Sequence, residues 1–342
     1  MTFDLSALTQ PIVGAPMAGA STPELVAATN AAGGLGFLAA GYRTAEQMHE
    51  QIVRTRELTD RPFGINLFSP QHQRSADQAD EIAAYAEVLA PFAEQVGAAV
   101  GKPEFNDDDF EAKIDILVDD PIELVTFTFG AIPADVIQRL QRSGSTVGFT
   151  VTSADEARRA EDLGAQLLIA QGANAGGHRG TWSMTVEPNT LPAATVIERV
   201  RRVTPLPLIG AGGVGSGADV QELLDAGADA VAVGTLLVAS HESASPEAYK
   251  DALTSGRYTE TMLTRAFSGR FAQGLANELM RAGDPEAPNA YPDVHYMTAP
   301  IRAAGGKSGD ASVLALWAGA GYQSATRRPA QQIIDELVAG LT

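Results

Sequence analysis

The chain of 342 residues contains no cysteine. Disulfides, thiol nucleophiles, iron–sulfur clusters and cysteine-ligated zinc are excluded together, and no metal site is expected. Aromatic residues make up only 6%, with two tryptophans, so aliphatic side chains must fill most of the core. Basic residues are scarce: 24 Lys and Arg stand against 42 Asp and Glu, a formal net charge of −18. A surface this acidic repels phosphate backbones and anionic lipid, which argues against nucleic-acid and membrane partners. No apolar run approaches the ~20 residues of a membrane span. Met1 to Gln10 lacks the basic and apolar segments of a signal peptide. The expectation is a soluble, cytoplasmic monomer or homodimer that acts on small molecules.

What the chain does contain is a repeated rhythm. Short apolar runs recur at 12–17, 35–40, 63–68, 124–129, 146–151, 167–172, 207–212 and 230–235, each leading into small or turn-forming residues and then a helical pattern. Eight strand–helix repeats predict an α/β fold, a (β/α)8 TIM barrel. Thr22-Pro23-Glu24 and Ser153-Ala154-Asp155-Glu156 read as helix starts, the second as a capping box. Gly33, Gly144, Gly164 and Gly227 stand where helices should stop. Residues 1–68 and 121–241 are assigned to the barrel. Residues 69–120 and 242–311 exceed one repeat and are expected to form a helical cap, with 312–342 packing on the barrel. Within the first insertion a helix is expected over 77–96, and the acidic run 106–109 reads as a solvated face.

The chemistry is expected at the strand ends. Gly176-Gly177-His178-Arg179-Gly180-Thr181 follows the run 167–172, and in parallel α/β folds ligands sit at that end of the strands. Paired glycines let backbone N–H groups approach a flat or anionic ligand. Gly212 and Gly213, then Gly234 and Thr235, follow the seventh and eighth runs, where barrels often bind phosphate; Ser216 or Thr235 could add a hydroxyl donor. Ala15, Pro16 and Met17 end the first run and could lie along one face of a flavin ring. Asn66 and Gln171 are amides in apolar strands, paired either with a ligand or with barrel backbone. A phosphate cradle without a metal cluster suggests FMN. His178 could act as an imidazolium that stabilises an anion or as a neutral base, and residue type alone does not choose. Arg179 could point outward or pair with a cap carboxylate.

These residues resemble a known family. Pro16-Met17-Ala18-Gly19, Gly64-Ile65-Asn66-Leu67-Phe68, Gln171-Gly172 with Ala175-Gly176-Gly177-His178-Arg179-Gly180, Thr264-Arg265-Ala266-Phe267-Ser268-Gly269-Arg270 and Leu316-Trp317-Ala318-Gly319 are similar to segments of the class I nitronate monooxygenases, formerly 2-nitropropane dioxygenases. The resemblance implies a TIM barrel with non-covalent FMN that oxidises alkyl nitronates, propionate 3-nitronate among them, with O2 to a carbonyl compound and nitrite. It implies FMN contacts at Met17, Asn66, Gln171, Gly176, Gly213, Gly234 and Thr235, and the active-site histidine at His178. Asn174 and Ala320 depart from the family's pattern. On this reading protonated His178 neutralises the nitronate, helped by Lys307 or Arg302, and Tyr291, His295 and Tyr296 either line the substrate pocket or serve cap packing. Two other readings remain at this stage: an NAD(P)H-dependent flavin reductase acting on an enoyl thioester or quinone, and a non-catalytic or aldolase-like barrel that binds a phosphorylated ligand.

Overall fold

A computed structural model describes residues 3–73 and 77–341. The first half of the ring alternates β1 (Ile12–Gly14), α1 (Pro23–Ala31), β2 (Phe37–Ala39), α2 (Ala45–Leu58) and β3 (Gly64–Phe68). Then come α3 (Ala79–Gln95), α4 (Phe110–Asp119), β4 (Leu124–Thr128), α5 (Ala134–Ser143), β5 (Thr146–Val151), α6 (Ala154–Asp162) and β6 (Leu167–Gln171). A two-residue strand β7 (Gly177–His178) precedes α7 (Ala193–Arg201), β8 (Leu208–Ala211), α8 (Gly217–Asp225), β9 (Ala230–Val233) and α9 (Thr235–Val238). The chain continues through α10 (Glu247–Thr254), β10 (Thr261–Thr264), β11 (Ala272–Leu275), α11 (Glu278–Gly283), α12 (Asp293–Ser308) and α13 (Ala330–Ala339).

Eight parallel strands form one sheet in the order β1-β9-β8-β6-β5-β4-β3-β2. A parallel bridge between Val13 and Leu35, just before β2, closes it into a (β/α)8 barrel. Each predicted run contains one of these strands. The strands are buried along most of their length because helices cover them outside and side chains fill them inside, hence continuous apolar runs instead of alternation. Leu5, Val13, Leu35, Phe37, Leu167 and Ile209 share one inner cluster. Phe3 N–H donates to Thr146 Oγ1 at 2.6 Å, which sets the N-terminal segment under the start of β5. Toward the other end the inner side chains shrink to Ala39, Ala211 and Ala232, and space opens for a ligand.

The four helix-stop glycines all have positive φ, the left-handed C-terminal geometry that costs other residues energy. Thr22 Oγ1 accepts from Leu25 N–H at 2.9 Å, and Pro23 opens α1. The capping box expected at Ser153 forms only in its forward half, with Ser153 Oγ accepting from Glu156 N–H. Glu156 instead takes Thr152 N–H and Thr152 Oγ1–H on one oxygen and Trp182 N–H on the other.

Three local expectations are corrected. First, α4 lies between α2 and α5, and its Phe110, Ile114 and Leu117 belong to the barrel's core cluster. Residues 110–119, expected with the 69–120 insertion, therefore pack with the barrel. Second, the acidic run 106–109 is not simply solvated: Asp108 pairs with the buried Lys113 of α4 at 2.8 Å. Third, the region after the eighth barrel strand contains a hairpin that periodicity did not show. Strands β10, β11 and β7 form a separate antiparallel sheet, with His178 opposite Ala272. The helix read over 77–96 is α3, which shares a second apolar cluster with α11 and α12 through Ile82, Tyr85, Leu279, Met280, Val294 and Met297.

Candidate active site

A cavity of about 510 Å³ opens at the C-terminal ends of the barrel strands, a size suited to a cofactor together with a small ligand. Ala15, Pro16 and Met17 after β1, Asn66 in β3, Gln171 at the end of β6, Gly176, Gly177 and His178, Gly212 and Gly213 after β8, and Gly234 and Thr235 after β9 all line it. Most stand at or beyond a strand's C-terminal end, and Asn66 reaches the cavity from the middle of β3. His295 from α12 lines it too.

Three expected contacts fall elsewhere. Lys307 is exposed near the end of α12 and does not line the cavity. Tyr291 and Tyr296 face a separate recess of about 20 Å³, bounded also by Tyr42, Asn106 and Asp108. Tyr296 Oη accepts from Asn106 Nδ2 at 2.6 Å, so that phenol ties α12 to the preceding insertion. Arg179 is 1% exposed, and its guanidinium donates to the carbonyls of Gly172 and Asn189. It fastens the base of the loop and neither points outward nor meets a carboxylate. Ser216 is the N-cap of α8, accepting from Asp219 N–H and donating to Asp219 Oδ2; it is not part of the cavity wall.

The two strand amides divide. Gln171 Nε2 donates to His178 O at 2.9 Å and its Oε1 accepts from Gly180 N–H at 2.8 Å. Both ends of that amide therefore order the 176–181 loop. Asn66 Oδ1 accepts from Thr126 and Thr128 hydroxyls, each at 3.0 Å. Its NH2 is left as the end that can donate to a ligand in the cavity. Thr235 Oγ1 accepts from Gly319 N–H at 3.0 Å, which frees the hydroxyl proton for a ligand oxygen. Gly213 has φ +81, and a Cβ there would collide with the Asn174 amide. Asn174 in turn accepts from Ala193 N–H at 3.0 Å at the start of α7. The close packing of these turns accounts for the glycine as well as any ligand does.

His178 Nε2 lies 2.8 Å from Ser268 Oγ, on the turn between β10 and β11. In the tautomer where that hydroxyl donates to Arg270 O at 3.2 Å, it accepts from Nε2–H and Nδ1 is the basic atom. Phe129 and Trp317 close around the ring at 5.6 and 5.5 Å between centroids. Burial first, then the Arg270 and Arg302 cations, pushes the imidazole down to about 3. Held this low, His178 is neutral near physiological pH, which favours the neutral-base reading over the cationic one. Burial is the main cause because an imidazolium loses more hydration than this pocket returns.

A positive charge comes from α12 instead. Arg302 lines the cavity and donates to His295 Nδ1 and His295 O, each at 3.1 Å, and to Thr298 Oγ1 at 3.2 Å. Burial and Arg302 hold His295 well below its ordinary value, so all three acceptors are uncharged. The guanidinium charge stays available to an anionic ligand. Tyr42, Arg43, Phe129 and Thr150 also line the cavity, unforeseen from sequence. Each stands at or just past a barrel strand, and that position alone could have identified them.

A family model described as nitronate monooxygenase matches residues 2–340. A probable nitronate monooxygenase of Staphylococcus aureus (strain Newman) is 33% identical over 336 residues, covering 96% of this chain and 93% of the relative. The crystal structure of nitroalkane oxidase from Streptomyces ansochromogenes superposes with a TM-score of 0.93 at 42% identity, covering 98% and 97% of the two chains. FabK from Thermotoga maritima is more distant, with a TM-score of 0.73, 25% identity and coverage of 97% and 93%. Among the described residues no helix is long and apolar enough to cross a membrane.

Proposed function

Because this chain belongs to the nitronate monooxygenase family, we propose that it oxidises alkyl nitronates, propionate 3-nitronate among them, with molecular oxygen at a bound FMN, releasing a carbonyl compound and nitrite. The observation that carries this reading is a cavity at the C-terminal ends of the strands whose wall holds both the His178 imidazole and the Arg302 guanidinium, the latter hydrogen-bonded to neutral acceptors.

The residues present fit FMN. Ala15, Pro16 and Met17 offer an apolar edge to a flat ring, and the Asn66 NH2 offers a donor to a ring carbonyl. Gly212, Gly213, Gly234 and Thr235 would hold the phosphate, with the Thr235 hydroxyl proton as one donor. Bound there, FMN would supply the electron transfer from nitronate to oxygen, chemistry that no protein side chain offers.

The chain's own residues bind, orient and handle the proton. Arg302 neutralises the nitronate, whose charge is spread over carbon and the nitro oxygens, in a protein whose net charge would otherwise repel it. His178 Nδ1, unprotonated, can remove the acidic C–H proton of a neutral nitroalkane and so form the nitronate in place. Ser268 holds the ring for that role through Nε2–H. Phe129, Phe267 and Trp317 exclude water around the reacting carbon.

The test uses purified protein loaded with FMN, mixed without oxygen with ethyl nitronate, nitroethane or NADH while flavin bleaching is followed. The wild type should bleach with ethyl nitronate and with nitroethane. His178→Asn should keep fast bleaching by the nitronate but lose about 10²–10⁴-fold with nitroethane, the usual worth of a positioned base. Equal losses with both would show that His178 is no base. Bleaching by NADH alone would replace the oxidase by a reductase, the reading to which the likeness to FabK would then point.

A further inference from the structure

We propose that Asp108 is a positioning residue for this cavity: it holds Tyr42 flat against His295 and thereby fixes where Arg302 presents its charge. The inference rests on the reading of the cavity as one that takes an anionic substrate.

Tyr42 stands just past the end of β2 with φ +64, a left-handed conformation that glycine adopts freely and a bulky residue avoids. Two contacts hold it there. Its N–H donates to Asp108 Oδ1 at 2.9 Å. Asp108 Oδ2 pairs with Lys113 Nζ at 2.8 Å, and the same Nζ donates to Ala40 O at 3.1 Å, two residues before Tyr42. Lys113 is 1% exposed and anchored on a barrel helix, so this clamp is fixed to the rigid part of the molecule.

The clamped ring reaches the cavity-lining helix. Tyr42 stacks on the His295 imidazole with centroids 3.7 Å apart and planes 8° from parallel. His295 Nδ1 then accepts from Arg302 Nη2, and Tyr42, His295 and Arg302 all line the cavity. The segment that carries Asp108 also runs along the first turns of α12. Gly101 N–H donates to Met297 O at 2.8 Å, and Asn106 Nδ2 donates to Tyr296 Oη. An ion pair that served stability alone would gain nothing from a large aromatic at a strained position. Here the strained residue is the one whose ring braces the partner of the cavity's guanidinium.

Tyr42→Asn tests the ring without harming the backbone, because asparagine tolerates this conformation. Asp108→Ala/Lys113→Met removes the clamp without leaving a buried unpaired charge. Nitrate, a planar oxyanion, is titrated calorimetrically against each FMN-loaded protein, and KM and kcat are measured with ethyl nitronate and nitroethane. Both variants should raise the nitrate Kd and the nitronate KM about tenfold, with kcat changed by less than about twofold and the nitroethane KM unmoved. Tyr42→Phe, which keeps the ring, should keep the nitrate Kd within about twofold of wild type. Unchanged nitrate binding in Tyr42→Asn would overturn the proposal, as would an equal loss for the neutral nitroalkane. If wild-type protein takes no nitrate, the anion reading itself fails. The ring-current shift of the His295 protons in NMR then decides the positioning claim alone: its loss in Asp108→Ala/Lys113→Met supports the claim and its persistence sinks it.

Discussion

At His178 the folded imidazole titrates near 3 and an ordinary one near 6.5, so between those values the unfolded chain binds the extra proton. Stability therefore rises with pH across that window and falls as pH drops through it. For this one residue the loss between about pH 7.5 and about pH 5 is about 2 kcal/mol. Denaturant unfolding at the two pH values should show a smaller difference in His178→Asn by that amount. An unchanged difference would mean that the imidazole is not held neutral by burial. The sequence placed His178 correctly at a strand end but left its charge open. Its charge depends on Arg270 and Arg302, which approach from distant segments, and on water excluded by Phe129 and Trp317.

Among the elements, the C-terminal segment has a role in the site beyond packing on the barrel. Gly319 and Gly321 line the cavity, and a Cβ on Gly321 would strike Val214 O and Gly215 N in the turn after β8. Gly321→Ala should push the 3-10 turn Ala320–Ser324 off that turn at a cost of about 1–3 kcal/mol. FMN affinity, followed by recovery of free-flavin fluorescence on dilution, should fall about tenfold, while the far-UV spectrum stays that of a folded barrel. A flavin affinity equal to wild type would separate this turn from the phosphate site. The barrel strands were legible because each is a short, largely buried apolar run between turn signals. The β10–β11 hairpin was not, because β10 is mostly half-buried, β11 carries Gln273 and Gly274, and β7 pairs with β11 across a long stretch of chain. Likewise only α3 reads as a helix of the first insertion, and α4 does not separate from the rest of it. Only their neighbours show that α4 belongs to the barrel, whereas α3 packs with α11 and α12.

For the whole molecule, the net charge of −18 acts on every approaching anion. Repulsion of this kind slows encounter and is screened over a Debye length of about 10 Å at 0.1 M salt. With a nitronate substrate, kcat/KM should rise about two- to fivefold between about 10 mM and about 150 mM sodium chloride. Nitroethane, which is neutral, should show no such rise. A fall with salt for the nitronate would mean that local cations at the mouth outweigh the global field.

The sequence by itself determined the ring of strands, the face that carries the chemistry and most of the residues that line it, because strand periodicity and strand-end position are local properties. The absence of cysteine and the scarcity of basic residues likewise bounded the chemistry before any fold was known. Only the tertiary structure decided that burial holds His178 well below its ordinary value, that Gln171 is spent on its own loop, that Lys307 lies outside the cavity wall, and that Arg302 lies in it. Each of those depends on desolvation or on a hydrogen-bond partner brought from far along the chain, and neither is written in a residue's immediate neighbours.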